Sequence, residues 1–298
     1  MQRKHLLLAI LVTLVWGVNF PISKIGLKTI DPIVLTGIRF SLAAFPLVFF
    51  VKRPNVSFSY LATYGVIFGV AMWALINIGI EIGVPPGVAS LVIQLSAFFT
   101  MAWGALIFKE KIRAGQVAGV ILAFVGLTGI LLTRNGSHEF WGVILVVLSA
   151  VSWSVGNVVI KKSGVKEIFS FTVWASLFPP IPLFLIAYAQ HGSAVYLSLV
   201  EKVAPEAIFS LVFQVYLATH FSYWGWNSLL RKYPISTVAP LSLLIPVFGI
   251  VSSVLIIGER VSSPEAISML IIISGLFVGL IKKGVRPFMQ AEVAPTKS

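Results

Sequence analysis

One long stretch is written twice in this chain, and that duplication limits the folds open to it. The first copy starts at Val84, VPPGVASLVIQLSAFFTMAWGALIFKEKIRAGQVAGVILAFVGLTGILL. The second starts at Tyr233, YPISTVAPLSLLIPVFGIVSSVLIIGERVSSPEAISMLIIISGLFVGLI. An offset of 149 residues lays Pro85 on Pro234, Phe99 on Phe248, Glu110 on Glu259 and Gly126 on Gly275. Each copy is two apolar runs joined by a short charged turn, Lys109-Glu110-Lys111 or Gly258-Glu259-Arg260. A run of this kind is about as long as the ~20 residues an α-helix needs to cross the hydrocarbon core of a bilayer. Self-similarity at a fixed spacing marks a chain built from repeated units.

Composition narrows the solvent. The 298 residues are 58% hydrophobic and 11% charged, against roughly 25% charged in soluble domains. Water cannot accommodate that much apolar surface on a chain this size, whereas lipid can. The net charge of +12 does not point to nucleic acid, because the cations sit in short clusters between apolar runs rather than on one face. Cysteine is absent, which excludes disulfides and thiolate metal sites.

Ten apolar runs are expected as spans, at roughly 6–23, 33–51, 60–80, 87–108, 114–133, 140–160, 168–189, 207–229, 235–257 and 265–281. Arg3-Lys4-His5 followed by Leu6–Trp16 has the outline of a signal peptide. The Trp16, Asn19 and Pro21 that follow, in place of a small-residue cleavage site, indicate an uncleaved first helix. With the N-terminus cytoplasmic, 16 of the 22 Lys and Arg fall on inside segments and five outside, with Arg39 inside a run. Positive residues concentrate on the cytoplasmic side, so both termini are expected there.

The earlier spans repeat more weakly. Trp16-Gly-Val-Asn-Phe-Pro-Ile-Ser-Lys24 matches Trp153-Ser-Val-Gly-Asn-Val-Val-Ile-Lys161 at an offset of 137. Five spans per unit is an odd number, so the second unit enters the membrane from the opposite side. The expectation is an all-α polytopic membrane protein of ten transmembrane helices arranged as two inverted five-helix repeats, 1–138 and 139–286, with a polar tail at 287–298. Such repeats place a substrate site between the halves and make alternating access the natural mechanism.

Candidate functional residues are those a lipid-facing helix would not carry. Asn19, Asn77, Gln94, Asn157, Gln214, His220 and Asn227 lie within apolar runs, so they face other helices or a cavity. Trp153, Asn157 and Lys161 share one helical face, as do Ser90, Gln94 and Phe98, while Trp16 and Asn19 are nearly aligned. Amides with aromatic rings suit a small zwitterion; the plain alternative is hydrogen bonding between helices. The substrate-binding set is therefore Trp16, Asn19, Asn77, Gln94, Phe98, Trp153, Asn157 and His220. His220 is also the candidate for coupling to protons, since free imidazole titrates near ~6.5 and a cavity that opens in turn to each side lets its protonation change.

Arg39, two turns inside the second run, is read as snorkelling or pairing with Asp31, with a substrate-carboxylate role as the rival. The remaining acids lie near span ends, so no buried carboxylate of a proton antiporter is evident. The sequence shows no metal-ligand cluster and no phosphate-cradling glycine loop, and neither metal nor cofactor is expected. Gly115-x-x-x-Gly119 and Gly275-x-x-x-Gly279 read as close helix packing. Pro21, Pro46, Pro179, Pro180, Pro182, Pro240 and Pro246 mark bends.

The chain resembles the drug/metabolite transporter superfamily, within it the ten-span EamA-domain proteins, and most of all the bacterial O-acetylserine/cysteine exporters of that branch. The resemblance is carried by Trp16-Gly-Val-Asn-Phe, Gly37-Ile-Arg-Phe, Ala44-Phe-Pro, Arg53-Pro, Ala89-Ser-Leu-Val, Gln94, Ala97-Phe-Phe-Thr100, Gly156-Asn157 with Lys161-Lys162, and Val238-Ala-Pro-Leu-Ser-Leu-Leu-Ile-Pro246. It covers nearly the whole chain. It implies an exporter in the bacterial cytoplasmic membrane, with a central cavity lined by spans 1, 3, 4, 6, 8 and 9. That cavity again involves Trp16, Asn19, Asn77, Gln94, Asn157 and His220. His220 stands where that pattern has an apolar residue, and Ser96 where it has a more polar one. The implied partners are a small-molecule substrate and the lipid bilayer, in a monomer or homodimer without nucleic acid. The implied cargo is cysteine-pathway amino acids, with hydrophobic or aromatic amino acids or drugs as the alternative. A membrane-embedded enzyme would need a clustered acid, base or nucleophile, which scattered amides and one His do not provide.

Overall fold

The computed structural model describes residues 1–109, 112–133, 137–202, 204–233 and 238–280. The Glu110 turn and the polar tail expected at 287–298 lie outside them. A helix, or a pair of helices in line, lies on each of the ten apolar runs. They are α1 (Arg3–Leu27), α2 (Pro32–Phe49), α3 (Phe58–Glu81), α4 (Pro86–Ile107), α5 (Ala114–Leu132), α6 (Ser137–Ser163) and α7 (Ile168–His191). After the short helix Ala194–Lys202 come α8 (205–232), α9 (239–257) and α10 (Ser263–Leu280). By length and apolarity α1 to α7 suffice to cross a membrane, while the apolar parts of α9 and α10 are shorter. α8 ends in the more polar helical stretch SYWGWNSLLRK, which lowers its apolar character.

Helix starts follow local chemistry. Asp31 caps α2, its carboxylate accepting from Ile33 N at 2.9 Å and Val34 N at 3.1 Å. Pro32 then takes the first turn, where its missing N–H costs nothing. Pro86 and Pro205 open α4 and α8 in the same way. α1 continues past Pro21 without a break. α7 does not survive its prolines: it stops at Ala175 and restarts at Pro180. Gly65 and Gly69 of α3 take up the carbonyl of Ala175 and the ring of Pro179 at that break.

End contacts sort the helices. At one end Asp31 meets His191 Nε2 at 3.5 Å, and Lys24 Nζ donates to Ile80 O at 2.9 Å, closing the last turn of α3. Gly87 N donates there to Glu259 Oε2 at 3.0 Å, which places a carboxylate on the N-terminus of α4. At the other end His5 Nδ1 and Tyr233 OH lie 2.6 Å apart. The outer surface carries many exposed large side chains, among them Leu106, Leu132, Ile181 and Leu255, the surface lipid solvates and water does not.

The tightest seam joins α5 to α10. A methyl group on Gly119 would lie 2.9 Å from Gly279 Cα, and one on Gly126 would lie 2.6 Å from Ser268 O. Backbones approach this closely only without side chains between them. The packing expected of the two glycine motifs is what the structure has.

Candidate functional site

Besides the 3₁₀ turn Leu47–Phe49 that ends α2, four helices depart from α geometry along their length, and they do so in pairs. Ile67–Ala74 of α3 and Phe213–Phe221 of α8 are π-helical. Ile93–Leu95 of α4 and Ala239–Leu243 of α9 are 3₁₀ turns. The 149-residue offset carries Ile67 onto Tyr216 and Gln94 onto Leu243, so each irregularity falls on its counterpart in the other half. Wide turns leave carbonyls poorly satisfied, and helices deep in a membrane tolerate that only where other groups reach them. In α8 those groups are visible. Thr219 Oγ1 donates to Gln214 O at 2.8 Å, Ser222 Oγ to Leu217 O at 2.8 Å, and Trp16 Nε1 of α1 to Ala218 O at 2.9 Å.

Arg39 enters this region from α2. It is 1% exposed, so it neither snorkels nor pairs with Asp31, whose carboxylate is engaged by the α2 N-terminus and His191. Arg39 is therefore not an interface residue: partners on α8 hold its charged end inside the bundle. Its Nη1 donates to Gln214 Oε1 at 3.3 Å and its Nη2 to Thr219 Oγ1 at 3.2 Å. The guanidinium lies 3.8 Å from the centroid of Trp73. Its Nε, also buried, has no hydrogen-bond partner. Placing Arg at the centre of a membrane helix costs about 2.5–3.5 kcal/mol by insertion scales. Two hydrogen bonds from a charged donor, at about 1.5–3 kcal/mol each, and a desolvated cation–π contact of about 2 kcal/mol offset that cost. None of them cancels the charge. Rings surround the group: Phe20 lies 6.3 Å from Trp73, Phe40 6.0 Å from Phe68, and Phe68 6.1 Å from Tyr223, which in turn meets Trp16 at 5.7 Å.

The expected site residues divide into three kinds. Asn77 is bonded at both amide atoms: Ser23 Oγ donates to its Oδ1 at 2.7 Å, and its Nδ2 donates to Thr36 Oγ1 at 2.9 Å, tying α1, α2 and α3 together. Gln94 and Asn157 each make one bond between helices, Gln94 Nε2 to Ser242 O at 3.0 Å and Asn157 Nδ2 to Thr100 Oγ1 at 3.0 Å. Asn19 differs from all of these. It is fully buried and neither amide atom has a partner. Phe98 packs on Gly279 of α10, and Trp153 is half-buried against the apolar core. His220 adjoins Thr219, with Phe169 of α7 at 6.1 Å, Tyr216 at 5.9 Å, and its Nε2 buried without a partner. Trp16, Asn77 and His220 thus belong with α1, α2, α3 and α8, whereas Gln94, Phe98 and Asn157 lie among α4, α6, α9 and α10. Reading His220 as the one titratable group at depth misses Arg39, which reaches the preceding residue. Gln214, Thr219, Trp73 and Tyr223 were not singled out for binding. The usable signal was Arg39 itself, because a cation inside an apolar run needs acceptors from another helix and Gln214 was on view as a polar residue in the eighth run.

Comparison with known proteins fits these features. The model of the EamA-like transporter family matches twice, over residues 3–132 and 140–281. A relative from Escherichia coli K12, described as a probable amino-acid metabolite efflux pump, is 38% identical over 94% of this chain and 96% of its own length. A relative of the same description from Salmonella typhimurium LT2 is 37% identical over 96% of this chain and 98% of its own. One crystal structure superposes over 97% of this chain and 100% of its own, with a TM-score of 0.63 at 16% identity, a likeness of fold alone. The fold defines a polytopic helical membrane protein. The chain belongs to the EamA-like transporter family.

Proposed function

We propose that the protein exports small amino acids or closely related metabolites across the bacterial cytoplasmic membrane by alternating access between two inverted five-helix halves. The carrying observation is the matched set of helix irregularities. The π segments of α3 and α8 and the 3₁₀ turns of α4 and α9 fall on one another under the repeat offset, and buried polar groups gather beside them. Paired broken helices at a repeat interface are the usual setting of a transporter's substrate site. The end contacts support ten crossings, because an alternating chain puts residues 24, 31, 80, 87, 191 and 259 on one side and residues 5 and 233 on the other. The positive-residue bias supports both termini inside. Cysteine and O-acetylserine lead the cargo on the resemblance in sequence, and relatives described as probable amino-acid metabolite efflux pumps support amino-acid metabolites generally.

A second reading, export of aromatic or hydrophobic amino acids, is favoured by the rings of Trp16, Phe68, Trp73 and Tyr223 around the buried polar groups. Reconstitution in liposomes separates the two. Efflux of labelled cysteine and O-acetylserine above that of phenylalanine and tryptophan supports the first reading, and the reverse order supports the second. No efflux of any amino acid, with or without a pH gradient, refutes both. Reporter fusions at each terminus test the topology, and periplasmic activity at either end refutes it.

A further inference from the structure

We propose that Arg39 is the carboxylate-binding residue of the transport site, taking a monovalent organic acid on the Nε edge of its guanidinium. The assignment rests on the amino-acid exporter reading for its natural ligand, but not for its chemistry. Among the described residues no acid forms an ion pair with Arg39, and its two acceptors, Gln214 Oε1 and Thr219 Oγ1, are neutral. A structural buried Arg is ordinarily neutralised by a carboxylate, since burying a full charge unpaired is unfavourable. Here the protein provides orientation without neutralisation. A resident Asp or Glu would compete with a visiting carboxylate, whereas an amide and a hydroxyl hold the fork in place and leave its charge available.

On one edge the guanidinium has no protein partner at Nε. The guanidinium carries five N–H donors in a fixed plane. One donor on each terminal nitrogen is used, Trp73 covers a face at 3.8 Å, and buried Nε has no partner. Nε together with an adjacent Nη hydrogen is the two-pronged arrangement that matches the two oxygens of a carboxylate. A single cation in apolar surroundings suits a monovalent acid better than a doubly charged phosphate. The location is also suited to transport. Arg39 belongs to the first half of the chain and its acceptors to the second, in the π segment of α8. A ligand that neutralises Arg39 therefore acts on a contact between the halves. The seventh span, Ile168–His191, contains no Lys or Arg, so the feature is not duplicated and the site has one polarity.

The test uses purified full-length protein and reads the shift in melting temperature on titration. The panel pairs acids with their carboxamides: cysteine, serine and phenylalanine with their amides, and acetate and benzoate with acetamide and benzamide. Wild type is expected to prefer acids over amides by about 100-fold, equivalent to about 2.7 kcal/mol. Arg39→Gln should bring each pair to near equality. Arg39→Lys, which keeps the charge and loses the fork, should retain only part of the preference and also serves if the Gln variant does not fold. A wild type that treats acids and amides alike, or binds no acid, overturns the assignment, as does a folded Arg39→Gln or Arg39→Lys that keeps the full preference. Arg39-dependent binding of benzoate or acetate but of no amino acid sustains the assignment and removes the amino-acid reading. Transport of amino acids with no acid-over-amide preference does the opposite.

Discussion

The α5–α10 seam and the cluster of α1, α2, α3 and α8 both join the two halves of the chain, by opposite means. In the seam Gly119, Gly126, Gly275 and their neighbours bring backbone onto backbone, with no polar side chain needed. In the cluster a charged residue, amides, hydroxyls and aromatic rings meet around π-helical turns. Close apolar packing loses contact energy over its whole length when it shifts. Polar groups that exchange partners lose little if another partner arrives. The seam therefore reads as a support and the cluster as the region able to rearrange around a ligand.

Substitutions can break that contrast. Gly119→Leu should have the largest effect, because the backbone of α10 cannot give way; a loss above about 3 kcal/mol, or failure to accumulate folded protein, is expected. Wild-type melting in detergent for this variant would remove the support role. Asn77→Leu comes next. It leaves Ser23 without its acceptor and takes the Asn77 donor from Thr36, a destabilisation of about 1–3 kcal/mol, read as a lowered melting temperature with transport reduced in proportion.

Asn19→Leu sharpens the comparison, since Asn19 is as buried as Asn77 but has no partner to lose. Its melting temperature should hold or rise slightly, while efflux in liposomes falls severalfold. Unchanged efflux would place Asn19 outside the transport path. The smallest effect on stability is expected for His220→Gln, read by efflux across about pH 5.5 to 8, the interval around the ~6.5 of free imidazole. Titratable groups facing this ring include Arg39 of α2 and Tyr216 of its own turn, with Phe169 against it from α7. If His220 couples protons to efflux, the substitution flattens the pH profile, and a profile like wild type assigns coupling elsewhere.

The contrast between Asn19 and Asn77 also marks where reading the sequence stops. Both are amides inside apolar runs, and the spacing of Asn19 from Trp16 placed it with the aromatic groups. Nothing local distinguishes an amide bonded by Ser23 and Thr36 from one bonded by nothing, since those partners lie on other helices. Gln94 and Asn157 were expected beside Asn19; each proves to bridge a particular helix pair, which periodicity along one helix does not encode.

What the sequence alone determined is the part of the protein governed by solvent and by local chemistry. Apolar runs bounded by charged turns set where helices form, because a backbone in lipid must satisfy its own hydrogen bonds. Asp31 and Pro32 set where α2 begins, and the glycine motifs marked α5 and α10 as closely packed helices, though not as partners of one another. The tertiary structure alone decided the fate of Arg39. Snorkelling, pairing with Asp31 and a substrate-carboxylate role were all compatible with its position in the chain. Only the approach of Gln214 and Thr219, 175 and 180 residues away along the chain, holds it buried. The physical reason is that a helix fixes its own hydrogen bonds locally, whereas the partner of a buried charge is whatever the packing of distant helices brings to it.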